Sequence, residues 1–392
     1  MSFPKKPEVM PVRPEFSSGP CAKRPGWSIK KIETIMLLGR SHRAVEPKKQ
    51  LKEVIELTKK IAKIPHDFKV AIVPASNTGA YEMAMWNMLG KNPVDVFAWE
   101  SFGFGWATDA TTELKLQQCR VMSAEYGLLP ELDLVREDAD ICFAWNGTTS
   151  GVRVPNANWI PKERKGLVLC DATSAIFSQD LDWTKLDVTT FSWQKSLGSE
   201  AAHGMLVLSP NAVERLENFV PERPLPKIFR LTKNGKLVDG IFNGETINTP
   251  SMLCVADALD ALRWVDEIGG INKTIERSDA NFVILQSWLD NQQWIENLVS
   301  NELNRSNSSV CLKLIAAEFL EMDSNEQRSF IKKMVNLLET EGAAFDIEGH
   351  RDAPPGLRIW CGPTVEAQDI SDLLPWLKWA FETVLARNEF SS

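Results

Sequence analysis

Two residues, Asp171 in segment 166–174 (GLVLCDATS) and Lys195 in segment 187–198 (DVTTFSWQKSLG), are placed by their surroundings to do chemistry. Asp171 ends, and Lys195 lies just past, a short apolar run of the kind that forms a strand buried on both faces. In open α/β sheets, ligands sit outside the carboxyl ends of the strands, so a carboxylate there faces a site. The same aspartate also suits a helix N-cap or a turn, and a lone lysine is most often solvated surface. As a pair about one βαβ step apart, the two match the needs of pyridoxal phosphate. The amine, made neutral by partial burial, can form an imine with the cofactor's carbonyl. The carboxylate can keep the pyridine nitrogen protonated, so that the ring accepts electrons from the substrate's Cα.

A phosphate needs its own cradle. The apolar run 69–73 (KVAIV) leads through Pro74, Ala75, Ser76, Asn77, Thr78 and Gly79 into a helix expected to begin near Ala80. Such a junction offers backbone N–H groups, hydroxyls and a positive helix end to an anion, although the same residues also cap ordinary helices. No GxxxxGK[ST] or GxGxxG pattern supports a nucleotide. Trp106, in SFGFGWA (101–107), follows two glycines expected to turn the chain at a strand end. Its indole can stack on a flat ring or simply pack in the core. Basic residues gather in SHR (41–43), GHR (349–351) and at Arg358; an arginine's planar fork suits a carboxylate or a phosphate.

Apolar runs at 69–73, 94–99, 140–145, 166–170, 188–191 and 205–208, with helix-like stretches such as 81–89 between them, predict an α/β domain with a mostly parallel sheet. The proline-bearing stretch 211–250 reads as a crossover loop. A helical region at 252–290 follows, broken near Gly269-Gly270. After it come a strand at 311–315, a polar helix at 324–341, a strand at 357–361 and a closing helix at 367–387. That tail reads as a smaller α+β domain. The division expected is 25–255 for the large domain, with 1–24 joining 256–392 in the small one.

The 392 residues carry a formal charge of −8, which argues against broad nucleic-acid binding. The polar start of the chain lacks a signal-like apolar run. No stretch reaches the ~18 apolar residues of a membrane helix. A cytoplasmic protein is therefore expected. The seven cysteines form no CxxC pair and read as reduced, and the four histidines show no metal-ligand spacing, so no metal site is expected.

Taken in order, FSSGP (16–20), SHR (41–43), NGT (146–148), CDATS (170–174), WQK (193–195), NTP (248–250) and GHR (349–351) through Arg358 span nearly the whole chain. In these motifs the sequence resembles the phosphoserine aminotransferase family, class-V aminotransferases of the aspartate-aminotransferase-like fold type I, in a divergent branch. The resemblance implies that Lys195 is the Schiff-base lysine, with Gln194 beside it, and that Asp171 meets the pyridine nitrogen. It implies that Trp106 stacks on the ring, that Thr148 contacts the cofactor, and that Asn77 and Thr78 hold the phosphate-loop positions. Asn248 and Thr249 would reach the cofactor phosphate of a neighbouring subunit, in a homodimer with shared active sites. Arg358 would bind the α-carboxylate. His42, Arg43, His350 and Arg351 would receive the substrate's phosphate or glutamate's distal carboxylate, some across the interface. The loop lacks the arginine of the commoner family form, and Pro354-Pro355-Gly356 replaces its Gly-Gly.

The implied reaction is ping-pong transamination between O-phospho-L-serine and 2-oxoglutarate, giving 3-phosphohydroxypyruvate and L-glutamate in serine biosynthesis. Transfer to 4-phosphohydroxythreonine, in vitamin B6 biosynthesis, is not separable by sequence. Alternatives are another fold type I aminotransferase, such as an alanine–glyoxylate aminotransferase, or a non-catalytic ligand-binding protein on the same scaffold.

Overall fold

A computed structural model describes residues 4–389. Its large sheet takes β1 (Lys69–Pro74), β2 (Val94–Ala98), β3 (Cys119–Ser123), β4 (Asp140–Ala144), β5 (Val168–Asp171), β6 (Val188–Ser192) and β7 (His203–Leu208). The strand order is β1-β7-β6-β5-β4-β2-β3. β3, β2, β4, β5 and β6 run parallel, whereas β7 lies antiparallel between β6 and β1. Every residue of β2, β4, β5, β6 and β7 is buried. Helices therefore cover both faces, as a parallel sheet demands.

The covering helices include α1 (Ile29–Glu33), α2 (Val45–Ile61), α3 (Ser76–Met88), α4 (Ser101–Thr108), α5 (Pro210–Asn218), α6 (Met252–Glu267) and the start of α7 (Ile271–Leu289). One apolar layer joins α2 and α6 to Phe97, Phe143 and Phe191. The layer on the other side packs α3 against Val96, Leu169 and Leu206. Ser209 and Ser251 accept backbone N–H bonds at the starts of α5 and α6, which satisfies orphan helix-terminal donors.

The stretch 211–250 is more than a loop. It completes α5 and contains the hairpin β8 (Thr232–Lys233) and β9 (Lys236–Leu237) with several helical turns. α5 begins on Pro210, just before that stretch, at the first helical position, where the missing N–H costs nothing. α3 begins at Ser76 rather than near Ala80. Gly103 and Gly105 lie inside α4 instead of forming a turn.

A second, antiparallel sheet comprises β10 (Ile295–Asn297), β11 (Ser309–Leu314) and β12 (Gly356–Trp360). The helices α8 (Ala317–Leu320), α9 (Ser324–Glu341) and α10 (Ala367–Glu389) accompany it. α9 opens with a capping box between Asp323 and Glu326 and ends on left-handed Gly342. The core here joins Phe16, Cys21 and Ala22 to residues between Leu285 and Val384. The boundary expected near 255 falls inside α6, whose Leu259, Leu262 and Val265 sit in the large sheet's core. No helix among the described residues is long and apolar enough to cross a membrane.

Candidate active site

The parallel strands deliver their carboxyl ends to one edge of the large sheet. β5 stops on Asp171, paired with Ala144 of β4 and Thr190 of β6. Asp171 is buried, and its two oxygens are divided. Oδ1 accepts from the Thr173 amide (3.0 Å) and hydroxyl (2.6 Å), while Oδ2 accepts from the indole N–H of Trp106 (3.3 Å). One oxygen thus closes the local turn and the other is held by Trp106. Burial pushes its pKa up, against the pull of the Thr173 and Trp106 donors and the Lys195 amine.

From the end of β6 the chain turns through Trp193 and Gln194 to Lys195, which is also buried. Its amine donates to the Ser18 carbonyl and lies 5.9 Å from the centre of the Trp360 ring. Burial, assisted by the Arg358 charge, lowers its pKa to about 8, so a substantial neutral fraction exists near neutrality. Gly19 seats the 16–20 segment over this amine, since a Cβ there would come within 2.7 Å of Nζ.

At the end of β1, Ala75 and Ser76 adopt left-handed backbone (φ 67° and 54°) and feed directly into α3. Asn77 and Thr78 therefore occupy the first helical turn, with the positive end of the helix behind them. Gly79 is obligatory, because a Cβ would lie 2.3 Å from the Pro74 carbonyl oxygen. Thr78 is exposed and Asn77 buried, with its Oδ1 unpartnered.

Trp106 sits on α4 and packs against Tyr81, ring centres 4.6 Å apart. Thr148 is buried, and its carbonyl accepts from Ser309 Oγ (2.7 Å) and faces Arg358 Nη1 at 3.5 Å. Arg358, on β12, is half-buried with an unpartnered Nε. His350 stands near Phe102 (6.5 Å between rings); burial and the Arg358 charge lower its pKa.

The structure thus gathers Asp171, Lys195, Trp106, Thr148 and Arg358. His42 is half-exposed, while Arg43, Arg351, Asn248 and Thr249 are exposed. Among the described residues none of these five bonds to that cluster within the protomer. The 248–250 turn is instead tied down by the Ser251 amide, which donates to His203 Nε2 (3.1 Å). Sequence reasoning passed over Glu100, a fully buried acid immediately beyond β2. The signal was available: Glu100 lies two residues past the carboxyl end of the buried strand β2, much as Asp171 closes β5.

No protein-family model matches the chain. A phosphoserine aminotransferase of Methanosarcina mazei is 51% identical over 379 residues, covering 97% of this chain and all of the relative. The chain belongs to the phosphoserine aminotransferase family. It is an enzyme, an aminotransferase, and its cofactor is pyridoxal phosphate. Solved structures agree on the fold. A phosphoserine aminotransferase of Cytophaga hutchinsonii matches with a TM-score of 0.79 at 20% identity, over 94% of this chain and 99% of that one. The pyridoxal-phosphate-bound enzyme of Trichomonas vaginalis matches with a TM-score of 0.74 at 18% identity, over 93% and 99%.

The residues present fit that cofactor. A buried amine and a buried carboxylate stand at neighbouring strand ends. Three covered polar atoms without protein partners, Asn77 Oδ1, Gln194 Oε1 and Arg358 Nε, lie beyond the ends of β1 and β6 and on β12. Buried polar groups are rarely left unbonded, so these three have bonding capacity to offer a ligand there.

Proposed function

We propose that the enzyme moves the amino group between O-phospho-L-serine and 2-oxoglutarate, producing 3-phosphohydroxypyruvate and L-glutamate for serine synthesis. The supporting observation is the pair formed by the buried Lys195 amine, with its pKa lowered to about 8, and the buried Asp171 carboxylate at the next strand end. When bound, pyridoxal phosphate supplies the carbonyl that takes the amino group and the ring that accepts the Cα electrons. In this reading Asp171 Oδ2 holds the proton on the ring nitrogen, and Trp106 holds that oxygen. Lys195 Nζ, when free and neutral, would take the proton from the substrate's Cα and deliver it to C4′ of the cofactor, and the reverse on the second substrate. The first turn of α3, with Asn77 and Thr78, receives the cofactor phosphate beside Thr148 and Gln194. Arg358 receives the α-carboxylate through its two-pronged fork.

His42, Arg43, His350 and Arg351 form the group for the substrate phosphate or the distal carboxylate. Exposure of most of them, with Asn248 and Thr249, supports a homodimer in which a second copy completes each site. A cytoplasmic location follows from the same reading, and 4-phosphohydroxythreonine carries the same phosphate and amine. The test is the visible spectrum of the holoenzyme before and after L-phosphoserine, with L-alanine and Lys195→Ala as controls. A lysine-dependent band discharged by phosphoserine and not by alanine supports the assignment. Discharge by alanine alone moves the function to another aminotransferase. Absence of a band after cofactor addition rejects it.

A further inference from the structure

The Glu100 carboxylate sits at a junction that the reaction itself leaves unexplained. Its Oε1 accepts from the Gly103 amide (2.9 Å), capping α4. Its Oε2 accepts from the Thr149 hydroxyl (2.7 Å) and amide (3.3 Å). The Ser101 amide donates back to the Thr149 hydroxyl (3.2 Å). One carboxylate therefore clamps the helix carrying Trp106 to the loop carrying Thr148. The loop is pressed onto it closely: a Cβ on Gly147 would meet Ser150 Oγ at 2.4 Å, Glu100 Cγ at 2.8 Å and Trp99 Nε1 at 2.9 Å. That contact explains why glycine stands in the middle of Asn146-Gly147-Thr148.

On its far side the same loop contacts the second sheet. The Thr148 carbonyl accepts from Ser309 Oγ and faces Arg358, and the Thr149 carbonyl lies 3.5 Å from Cys311 Sγ. We propose that Glu100 is a positioning residue for substrate binding: by fixing the 147–150 loop it sets the Thr148 carbonyl, and through it the guanidinium of Arg358. The assignment of Arg358 to the substrate carboxylate rests on the function proposed above.

The charged and titratable groups facing Glu100 are Asp171 from β5, Lys195 after β6, Tyr126 after β3 and Cys311 on β11. Burial and the Asp171 charge push the Glu100 pKa up, while its three donors pull it down. Three donors on a wholly buried carboxyl are the arrangement of a fixed strut. An acid held in readiness to deliver a proton would leave an oxygen free.

The experiment compares steady-state kinetics of the holoenzyme with Glu100→Gln, Glu100→Ala and Thr149→Val, using L-glutamate and L-phosphoserine separately. Loss of a buried hydrogen-bonded strut is expected to raise KM for both amino acids by about tenfold in Glu100→Ala and Thr149→Val. kcat should stay within about threefold, because Asp171 and Lys195 keep their own partners. Glu100→Gln keeps the Gly103 bond and can meet the Thr149 hydroxyl with the direction reversed, losing only the Thr149 amide's acceptor, and should rescue most of the KM. Thr149→Val preserves volume and leaves Glu100 in place, so it remains informative if Glu100→Ala does not fold. Unchanged KM in folded Thr149→Val, or a fall in kcat alone, overturns the proposal. So does a Glu100→Gln as impaired as Glu100→Ala, which would assign the effect to charge. If the unmodified enzyme uses glutamate but not phosphoserine, the substrate assignment fails while the glutamate comparison still decides the role of Glu100.

Discussion

The indole N–H of Trp106 donates to Asp171 across 3.3 Å, and Thr173 holds the other carboxylate oxygen through two donors. The carboxylate is therefore fixed in rotation by the protein's own donors, which under the function proposed above lets it meet a protonated ring nitrogen without reorganising.

Asp171→Asn retains a carbonyl oxygen for one of these donors but no charge. It is expected to lower kcat/KM by roughly two to three decades, the scale of a buried charge pair losing one partner. Trp106→Phe removes the N–H and trims the indole to a single ring, so a loss of about tenfold is expected. Steady-state kinetics at saturating cofactor measure both. Equal losses would show that ring packing against Tyr81 matters more than the hydrogen bond.

Lys195 gives a stability prediction with a defined sign. Its pKa falls from an ordinary 10.5 to about 8 in the folded chain, chiefly through burial. Between these values the unfolded chain holds a proton that the folded chain has lost. The contribution of this group to stability therefore rises with pH across that window and is unfavourable below it. Lys195→Met should abolish transamination. It should also stabilise the cofactor-free protein at pH 7 by up to about 3 kcal/mol, with the gain shrinking towards pH 10. Urea midpoints at the two pH values measure it. A loss of stability at pH 7 would show that the amine's bond to Ser18 outweighs its burial.

Arg358→Ala is expected to weaken every amino-acid substrate by about one to two decades in kcat/KM, the scale of a lost charge-assisted pair. Arg43→Ala and Arg351→Ala should penalise phosphoserine more than alanine. Equal losses on the two amino acids would remove the phosphate from their role.

If exposed Asn248 and Thr249 serve a second copy, two inactive variants should complement each other. Lys195→Ala mixed with a variant altered at Asn248 and Thr249, under conditions of subunit exchange, should recover about a quarter of the sites as intact ones. Recovery is read as activity against mixing ratio. A mixture no better than its parts would confine those residues to their own protomer.

The sheet was legible because β2, β4, β5, β6 and β7 are buried on both faces and so are written as short apolar runs. β3 escaped notice for the opposite reason: it is an edge strand with Arg120 and Val121 exposed, and its sequence carries no such run. Strand ends located Asp171 and Lys195, and the same rule would have located Glu100. Nothing local could place Ser18 on Lys195, or Thr148 beside Arg358, because those contacts join segments 177 and 210 residues apart. Distance along the chain erases the pattern.

That separation has a consequence for synthesis. Ser18 comes early in the sequence, Lys195 well after it, and Arg358 later still, on a strand whose ladder partner is β11 of the smaller sheet. A nascent chain that has displayed Asp171 and Lys195 still lacks the strand bearing the arginine assigned to the substrate. Until β12 docks, an amine at the lysine's position is unaccompanied by that guanidinium, so cofactor capture and substrate selection mature at different times. The segment before residue 356 holds every strand of the large sheet and lacks the one that bears Arg358.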